Sequence, residues 1–187
     1  KVIVEELVSR PLESGRPAVV VVDVHGEYLG LAEEFPGQVE VVDGRMMRIG
    51  VSHLSSERFR EFVPEMSGVQ ARELKCTLAS LKANSGAGFD FRDIVEELKG
   101  LDGISKNSKQ ALIGWLHDLE SLRIFDRFDY PKWGKITVPG RVVIVNLSEI
   151  TSLRKKQLLL THAMRSLFYN RRMGRVPPII LFLEEAH

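Results

Sequence analysis

The sequence predicts an α/β domain with a mainly parallel sheet that is interrupted by an inserted helical bundle. Continuous apolar runs at residues 18–22 and 179–183 are typical of strands that are buried on both faces. A third run, at residues 141–147, is mostly β-branched and predicts another strand. Between residues 55 and 128 the apolar side chains recur only at helical spacing. Strands and helices arranged in this way favour a parallel sheet, with the helical block inserted between two of its strands.

The composition agrees with a single compact core that carries a subdomain. The chain has 187 residues, of which 44% are hydrophobic. No apolar stretch is long enough to span a membrane, and no signal-peptide pattern opens the sequence. The single cysteine, Cys76, excludes an intramolecular disulfide, and its position among helix formers predicts a packed, inert thiol. These features predict a cytoplasmic protein without membrane association.

The elements outside the helical block have recognisable start and stop signals. A helix is predicted at residues 2–7, and a long one at residues 152–173 that ends before Gly174. Asp43 and Gly44 lie between two apolar stretches, which predicts a β-hairpin with a type I′ turn. We therefore divide the chain into the first part of the core, an inserted helical subdomain and the second part of the core, at residues 1–54, 55–135 and 136–187.

Two apolar stripes within the helical block are expected to pack on each other. One runs through residues 91, 94, 95 and 98, with Asp90 as the candidate N-cap, and the other spans residues 112–122. Short helices depend on packing for their stability, so each stripe needs a partner. The block is therefore predicted to be a compact bundle with no strand of its own.

The charge distribution is more informative than the net charge of +1. The segment 151–183 contains no Asp or Glu but holds seven cations, which are Arg154, Lys155, Lys156, Arg165, Arg171, Arg172 and Arg175. Two interpretations remain open. The cations form a solvated helix face whose counter-charges come from elsewhere in the fold, or they bind a phosphate-rich partner.

Carboxylates follow two of the predicted strands. The first strand runs into Asp23, and the last runs into Glu184 and Glu185. Ligands of open α/β sheets bind at the carboxyl ends of the strands, so we expect these acids to converge if the two strands are neighbours. Clustered carboxylates suit Mg²⁺, and a strand followed by two acids matches the second acidic motif of a P-loop nucleotide hydrolase. The alternative is that Glu184 and Glu185 only begin a helix, where acids favour the dipole.

The phosphate cradle of such an enzyme, G-x-x-x-x-G-K-[ST], is absent from these 187 residues. Gly134-Lys135 is followed by Ile136 and lacks the upstream glycine. The first predicted helix has no visible cap, which is explained if a cradle lies just ahead of Lys1.

The ordered pair of motifs resembles the HerA helicases of the HerA/FtsK superfamily. The first motif is VVVVDVHGEY at residues 19–28, and the second is IILFLEEAH at residues 179–187, with a helical insertion between them. The resemblance spans the whole chain and implies a RecA-like P-loop core that uses ATP and Mg²⁺. It further implies a hexameric DNA translocase that acts on double-stranded DNA with a NurA-type nuclease in DNA-end processing and recombinational repair.

The resemblance also implies roles for the motif residues. Glu185 would be the catalytic base and Glu184 the magnesium-side acid. Asp23 would be a further polar group at the nucleotide and a second metal-side acid. The other motif residues placed at the cofactor are His25, Gly26, Glu27 and His187. A simple turn glycine at Gly26 and a hydrogen-bonding histidine at His187 are the structural alternatives.

Two other functions remain open at this stage. The chain could be a degenerate P-loop-fold module that no longer hydrolyses ATP and serves as a scaffold for protein or DNA contacts. It could also belong to a conjugative or FtsK-type motor, which would share the acids without the D-x-H-G-E-Y motif. The first alternative and the motor differ in the residues ahead of Lys1: a GK[ST] cradle there would indicate the motor, and its absence there would indicate the degenerate module.

Overall fold

The computed structural model describes residues 2–9, 16–100 and 105–184, which form two compact units. Unit 1 contains residues 1–47 and 130–187, and unit 2 contains residues 48–129. In sequence, unit 2 therefore lies between two parts of unit 1. The two-part core with an insertion that the sequence predicts has the same order along the chain.

Unit 1 is built on a four-stranded sheet in which every pair of neighbouring strands is parallel. The strands are β1 (Ala18–Asp23), β2 (Val39–Asp43), β5 (Val142–Asn146) and β6 (Ile179–Leu183), in the order β2-β5-β1-β6. The helices of this unit are α1 (Val2–Val8), α2 (Gly30–Glu34), α7 (Trp133–Ile136) and α8 (Leu153–Arg172). The mainly parallel α/β fold predicted from the sequence is thereby confirmed.

The centre of the sheet is buried on both faces. All six residues of β1 are buried, and so are the four valine and isoleucine residues of β5. On one face, Val19, Val21 and Ile144 pack in a cluster with residues of α1 and α2. Because alternate strand residues point to opposite faces, burial of every position means that both faces are covered.

Strand β6 is less buried than the sequence predicts. It has the predicted bounds, but Leu181 and Leu183 are 36% and 37% exposed, so the expectation of burial on both faces is wrong. Ile180 and Phe182 do pack against the core cluster. Since alternate strand residues point to opposite faces, one face of β6 lies on the core cluster and the opposite face, which carries Leu181 and Leu183, is less covered.

The predicted hairpin at Asp43-Gly44 is also wrong. Strand β2 pairs in parallel with β5, and a 3₁₀ turn, Gly44–Met46, comes directly after it. The Asp43 carboxylate accepts a hydrogen bond from the Arg45 backbone N–H at 2.8 Å, which starts this turn. Gly44 is needed for close approach, because a Cβ there would lie 2.6 Å from the Asn146 carbonyl oxygen.

Unit 2 is mainly helical, as expected, but it also contains two short strands. Its helices are α3 (Ser56–Phe62), α4 (Gly68–Asn84), α5 (Phe91–Gly100) and α6 (Lys106–Ser121). The strands β3 (Ile49–Gly50) and β4 (Phe125–Asp126) pair in parallel, which the helical periodicity did not predict. A two-residue strand is too short to produce an alternating pattern in the sequence.

The two predicted stripes of unit 2 are confirmed as packing partners. Helices α5 and α6 contact each other. The buried residues of the stripes are Phe91, Ile94, Val95 and Leu98 in α5 and Leu112, Leu116 and Leu119 in α6, whereas Trp115 and Leu122 are half-buried. Asp90 accepts hydrogen bonds from the N–H groups of Arg92 and Asp93, as expected of an N-cap. On α4, Leu74 and Leu78 are buried but Cys76 is exposed, so the packed thiol expected at this position is wrong.

Candidate active site at the strand ends

The polar residues that end three strands of unit 1 lie in one row. Asp43, Asn146 and Asp23 are register partners across β2, β5 and β1. Glu184 comes directly after β6, whose Leu183 is the register partner of Val22 in β1. Adjacent parallel strands therefore bring Asp23 and Glu184 to the same edge of the sheet, as the sequence predicts.

The loop after β1 is organised by the Asp23 carboxylate. One oxygen, Oδ1, accepts hydrogen bonds from the backbone N–H groups of His25, Gly26 and Glu27, at 3.3, 2.6 and 3.1 Å. The other oxygen, Oδ2, accepts one from the Tyr28 N–H at 3.0 Å. Asp23 itself is 0% exposed. These four hydrogen bonds offset the free-energy cost of burying the Asp23 carboxylate.

Two residues of the motif make this loop possible. Gly26 has a φ of +84°, a conformation that L side chains rarely adopt, so the glycine is required by the backbone. Tyr28 is 8% exposed and packs in the core cluster of unit 1, which fixes the far end of the loop. The side chains of His25 and Glu27 remain exposed. The loop therefore presents these two side chains to solvent from a rigid backbone.

Glu184 has a different environment from Asp23. Its Oε2 atom is buried and receives no hydrogen bond within the described residues. Burial, followed by the negative charges of Asp23 and Glu27, raises the pKa of Glu184 above its ordinary value. His25 and the Val24 backbone N–H act in the opposite direction but do not cancel this effect. Burial and the charge of Glu184 also raise the pKa of the Tyr28 hydroxyl.

The other strand-end residues are already satisfied by their own loops. Asn146 Oδ1 accepts hydrogen bonds from the Ser148 N–H and hydroxyl, at 3.0 and 2.7 Å. Asp43 forms a salt bridge with Arg45 at 2.7 Å. Glu184 is thus the strand-end acid in the described part of the chain that keeps a buried oxygen without a donor. A buried polar atom of this kind calls for a partner such as a metal-bound water.

The residues present fit a magnesium ion that is held mostly by water and phosphate. Within residues 2–9, 16–100 and 105–184, no group of three or more His, Cys, Asp or Glu side chains is arranged to hold a metal. Mg²⁺ does not need such a group, because it commonly uses one or two carboxylates and completes its shell with waters and substrate phosphates. The orphaned Glu184 oxygen supplies one such carboxylate at a site of accumulated negative charge.

The structure brings together five of the seven predicted site residues at this edge, which are Asp23, His25, Gly26, Glu27 and Glu184. Glu185 and His187 lie outside the described residues. Tyr28 and Ser148 were not among the predicted site residues. Tyr28 stands in the D-x-H-G-E-Y motif, which could have indicated it, whereas Ser148 reaches the site only because β5 lies beside β1.

A sheet of parallel strands with acids at neighbouring carboxyl ends is a mixed α/β fold of the class that binds ligands at the strand ends. The family model described as "Helicase HerA, central domain" matches residues 1–167. Since the match covers most of the chain, the chain belongs to the HerA central-domain family. This confirms the family that the two motifs indicated.

A solved structure has the same fold. VirB4 of Thermoanaerobacter pseudethanolicus superposes with a TM-score of 0.64 and 10% sequence identity, over 100% of this chain and 79% of that chain. At this identity the likeness concerns the fold. Comparison with curated proteins gives no significant match. No helix in the described ranges is both long and apolar enough to cross a bilayer.

Proposed function

We propose that the chain is the central portion of an ATP-dependent DNA helicase or translocase that acts in DNA-end processing and recombinational repair. The observation that carries this proposal is the strand-end acid Glu184, whose buried Oε2 lacks a donor beside a loop that is rigidly held by Asp23. Membership of the HerA family supports the class of reaction. The proposed setting is a cytoplasmic homo-hexamer on double-stranded DNA, with a NurA-type nuclease as partner.

In this proposal the residues of the site have distinct roles. A bound Mg²⁺ would neutralise the charge on the ATP phosphates. Glu184 would help to hold that ion through its bound waters, and Glu185 would act as the general base that takes a proton from the attacking water. The proposed ATPase core, residues 1–54 and 136–187, and the proposed inserted subdomain, residues 55–135, have the same order as the two structural units, whose boundaries lie seven and six residues earlier in the chain. His187 is proposed as a residue that links the nucleotide to the DNA contact.

The structure leads us to propose a different role for Asp23 from the one that the family resemblance implied. Both of its oxygens already accept hydrogen bonds from the backbone of residues 25–28. Three of these bonds go to Oδ1, and the side chain is 0% exposed, so a magnesium ion or its waters could reach the carboxylate only if the loop opened. We therefore propose that Asp23 is a positioning residue that acts through the loop, and that Gly26 serves the same loop. His25 and Glu27 are the side chains that the loop presents to the nucleotide.

Paired substitutions test the roles of the two glutamates. In a natural protein that contains this chain together with a phosphate cradle, Glu185→Gln should retain ATP binding and lose turnover by roughly 10²–10⁴-fold, because Gln cannot accept the proton. Glu184→Gln should also weaken magnesium-dependent ATP binding. Glu34→Gln, on the exposed surface of α2, is the matched control and should change neither property.

The measurement is ATP binding and phosphate release with DNA present. If Glu184→Gln and Glu185→Gln both kept normal turnover, the acids would be only the polar end of a strand. If Glu184→Gln alone abolished turnover while leaving binding intact, the two roles would be exchanged.

A second candidate is a degenerate P-loop-fold module that serves as a scaffold, and it differs from the motor in whether a longer natural protein that contains this chain binds ATP. The 187-residue chain alone should neither bind nor hydrolyse ATP appreciably under either proposal. A longer natural protein that also failed to bind ATP would support the scaffold and contradict the motor.

A further inference from the structure

Helix α8 has one face in the core of unit 1 and an opposite face in solvent. The core face is formed by Leu159, Ala163 and Leu167, which are buried and spaced four residues apart. On the opposite side, residues at three- and four-residue spacing are all exposed. We call these residues the α8 outer face, and they are Arg154, Gln157, Thr161, Arg165, Phe168 and Arg172. At 1.5 Å per residue this face is about 27 Å long.

The charge of the α8 outer face is unusual for a solvated helix. It contains three arginines and no acid, and no Asp or Glu occurs anywhere between residues 151 and 183. In the part of the chain that the structure describes, no salt bridge involves Arg154 or Arg172. At these two positions, counter-charges from elsewhere in the fold do not explain the cations.

An aromatic side chain lies in the middle of these cations. Phe168 is 72% exposed, and Arg165 and Arg172 flank it at the spacing of neighbours on a helix surface. Next to it, Tyr169 is 52% exposed, with the Arg175 guanidinium 5.7 Å from its ring centroid. A solvated face gains nothing from a phenylalanine exposed to this degree, whereas a stacking platform requires one.

We propose that the α8 outer face binds single-stranded DNA, with the arginines on the phosphates and a base stacked on Phe168. Alternation of cations with an exposed aromatic ring is the arrangement by which proteins hold single strands without sequence preference. A uniformly anionic backbone matches an acid-free surface along its whole length, whereas a protein partner would have to supply a matching row of acids. The inference rests on the proposed function for the presence of DNA. It adds the surface, and it assigns this surface to a single strand, as a ligand separate from the double-stranded DNA on which the hexamer is proposed to act.

The test is DNA binding by the 187-residue chain without ATP, measured by fluorescence anisotropy with a labelled 20-nucleotide oligothymidylate and with a duplex of the same length. We expect the single strand to bind more tightly. Phe168→Ala should weaken it by about 5- to 150-fold, which is the effect of losing one stacked base. The double substitution Arg165→Gln, Arg172→Gln should reduce the slope of log K against log salt by about 1.4, since each phosphate contact on a single strand contributes about 0.7.

The matched control is Arg72→Gln, Arg92→Gln, which removes two exposed cations from unit 2 and should leave the affinity and the salt slope unchanged. All the substituted residues are exposed, and circular dichroism melting checks that each variant folds.

Unchanged single-strand binding in the α8 variants would overturn the inference, and so would no binding by the original chain. Loss of self-association in Phe168→Ala, with DNA affinity unaltered, would assign the face to a contact between copies. The proposed function is tested separately by ATP turnover, so the two can fail independently.

Discussion

Strands β1 and β6 end in the same sequence pattern, an apolar run followed by an acid, but their acids have different environments. Asp23 is fully buried and accepts hydrogen bonds from four backbone N–H groups of its own loop. Glu184 has a buried oxygen without a donor in the described residues and a raised pKa. The same pattern therefore produces a residue that holds the fold together at one strand and a residue available to a ligand at the next.

The environment of Asp23 arises from the path of the backbone after β1. After β1 the chain turns sharply, with Gly26 at a φ of +84°, and four successive N–H groups point back at the carboxylate. Glu184 instead donates its N–H to the Val22 carbonyl at 3.4 Å and continues the ladder with β1. Within the described residues its Oε2 atom has no donor, and this makes Glu184 a candidate for chemistry.

The largest change in the free energy of unfolding should come from replacing each of the two acids by alanine. Asp23→Ala should lower the free energy of unfolding by about 3 kcal/mol or more, because it leaves several part-buried N–H groups without an acceptor. Glu184→Ala should not cost as much, since its carboxylate is held by fewer hydrogen bonds. Urea unfolding of the two variants measures the contrast. A loss below about 1 kcal/mol for Asp23→Ala would show that the loop does not depend on this carboxylate.

The conservative variants of Asp23 and Glu184 are the control for this comparison of the two alanine variants. Asp23→Asn retains one carbonyl oxygen for three of the four donors, so it should recover part of the stability lost in Asp23→Ala. In a longer protein that binds ATP, Asp23→Asn should leave the magnesium concentration needed for half-maximal binding unchanged, whereas Glu184→Gln should raise it. A similar increase in both variants would make Asp23 a magnesium-side acid after all.

A second test extends the comparison to the end of β2. Gly44→Ala should cost about 1–3 kcal/mol, because its Cβ would lie 2.6 Å from the Asn146 carbonyl oxygen and 2.8 Å from Leu147 Cδ2. Gly30→Ala, at the start of α2 with nothing within 4 Å, should stabilise the chain by about 0.4–1 kcal/mol. Thermal melting of both variants measures the difference. Equal effects would mean that the end of β2 is looser than the packing indicates.

The smallest effect concerns the protonation of Glu184. Its pKa is raised in the folded chain from an ordinary value of 4.5, so ionisation of this group disfavours folding as the pH rises above that value. Glu184→Gln should therefore stabilise the chain slightly at pH 7, within about 1 kcal/mol, and the advantage should disappear near pH 4. Melting temperatures of both proteins at the two pH values provide the measurement. An advantage that grew as the pH fell would contradict the raised pKa.

The sequence by itself determined the local elements and the order in which they occur. The strands β1 and β6, the helices of unit 2 and the long helix α8 were all predictable, because continuous apolar runs favour buried strands and burial of one helix face imposes a period of 3.6. The acids at the strand ends were predictable for the same reason, since they come directly after the apolar runs. The family was predictable from the D-x-H-G-E-Y motif and the terminal acids, and it is confirmed.

Only the tertiary structure decided which residues these elements would meet. The sequence predicted a hairpin at Asp43-Gly44, but pairing with β5, far along the chain, made β2 a parallel strand. Likewise, the exposure of Leu181 and Leu183 depends on what covers each face of the sheet, and the four donors at Asp23 depend on the direction of the backbone after β1. These properties are set by contacts between distant residues and by the sign of single φ angles, neither of which leaves a periodic signal in the sequence.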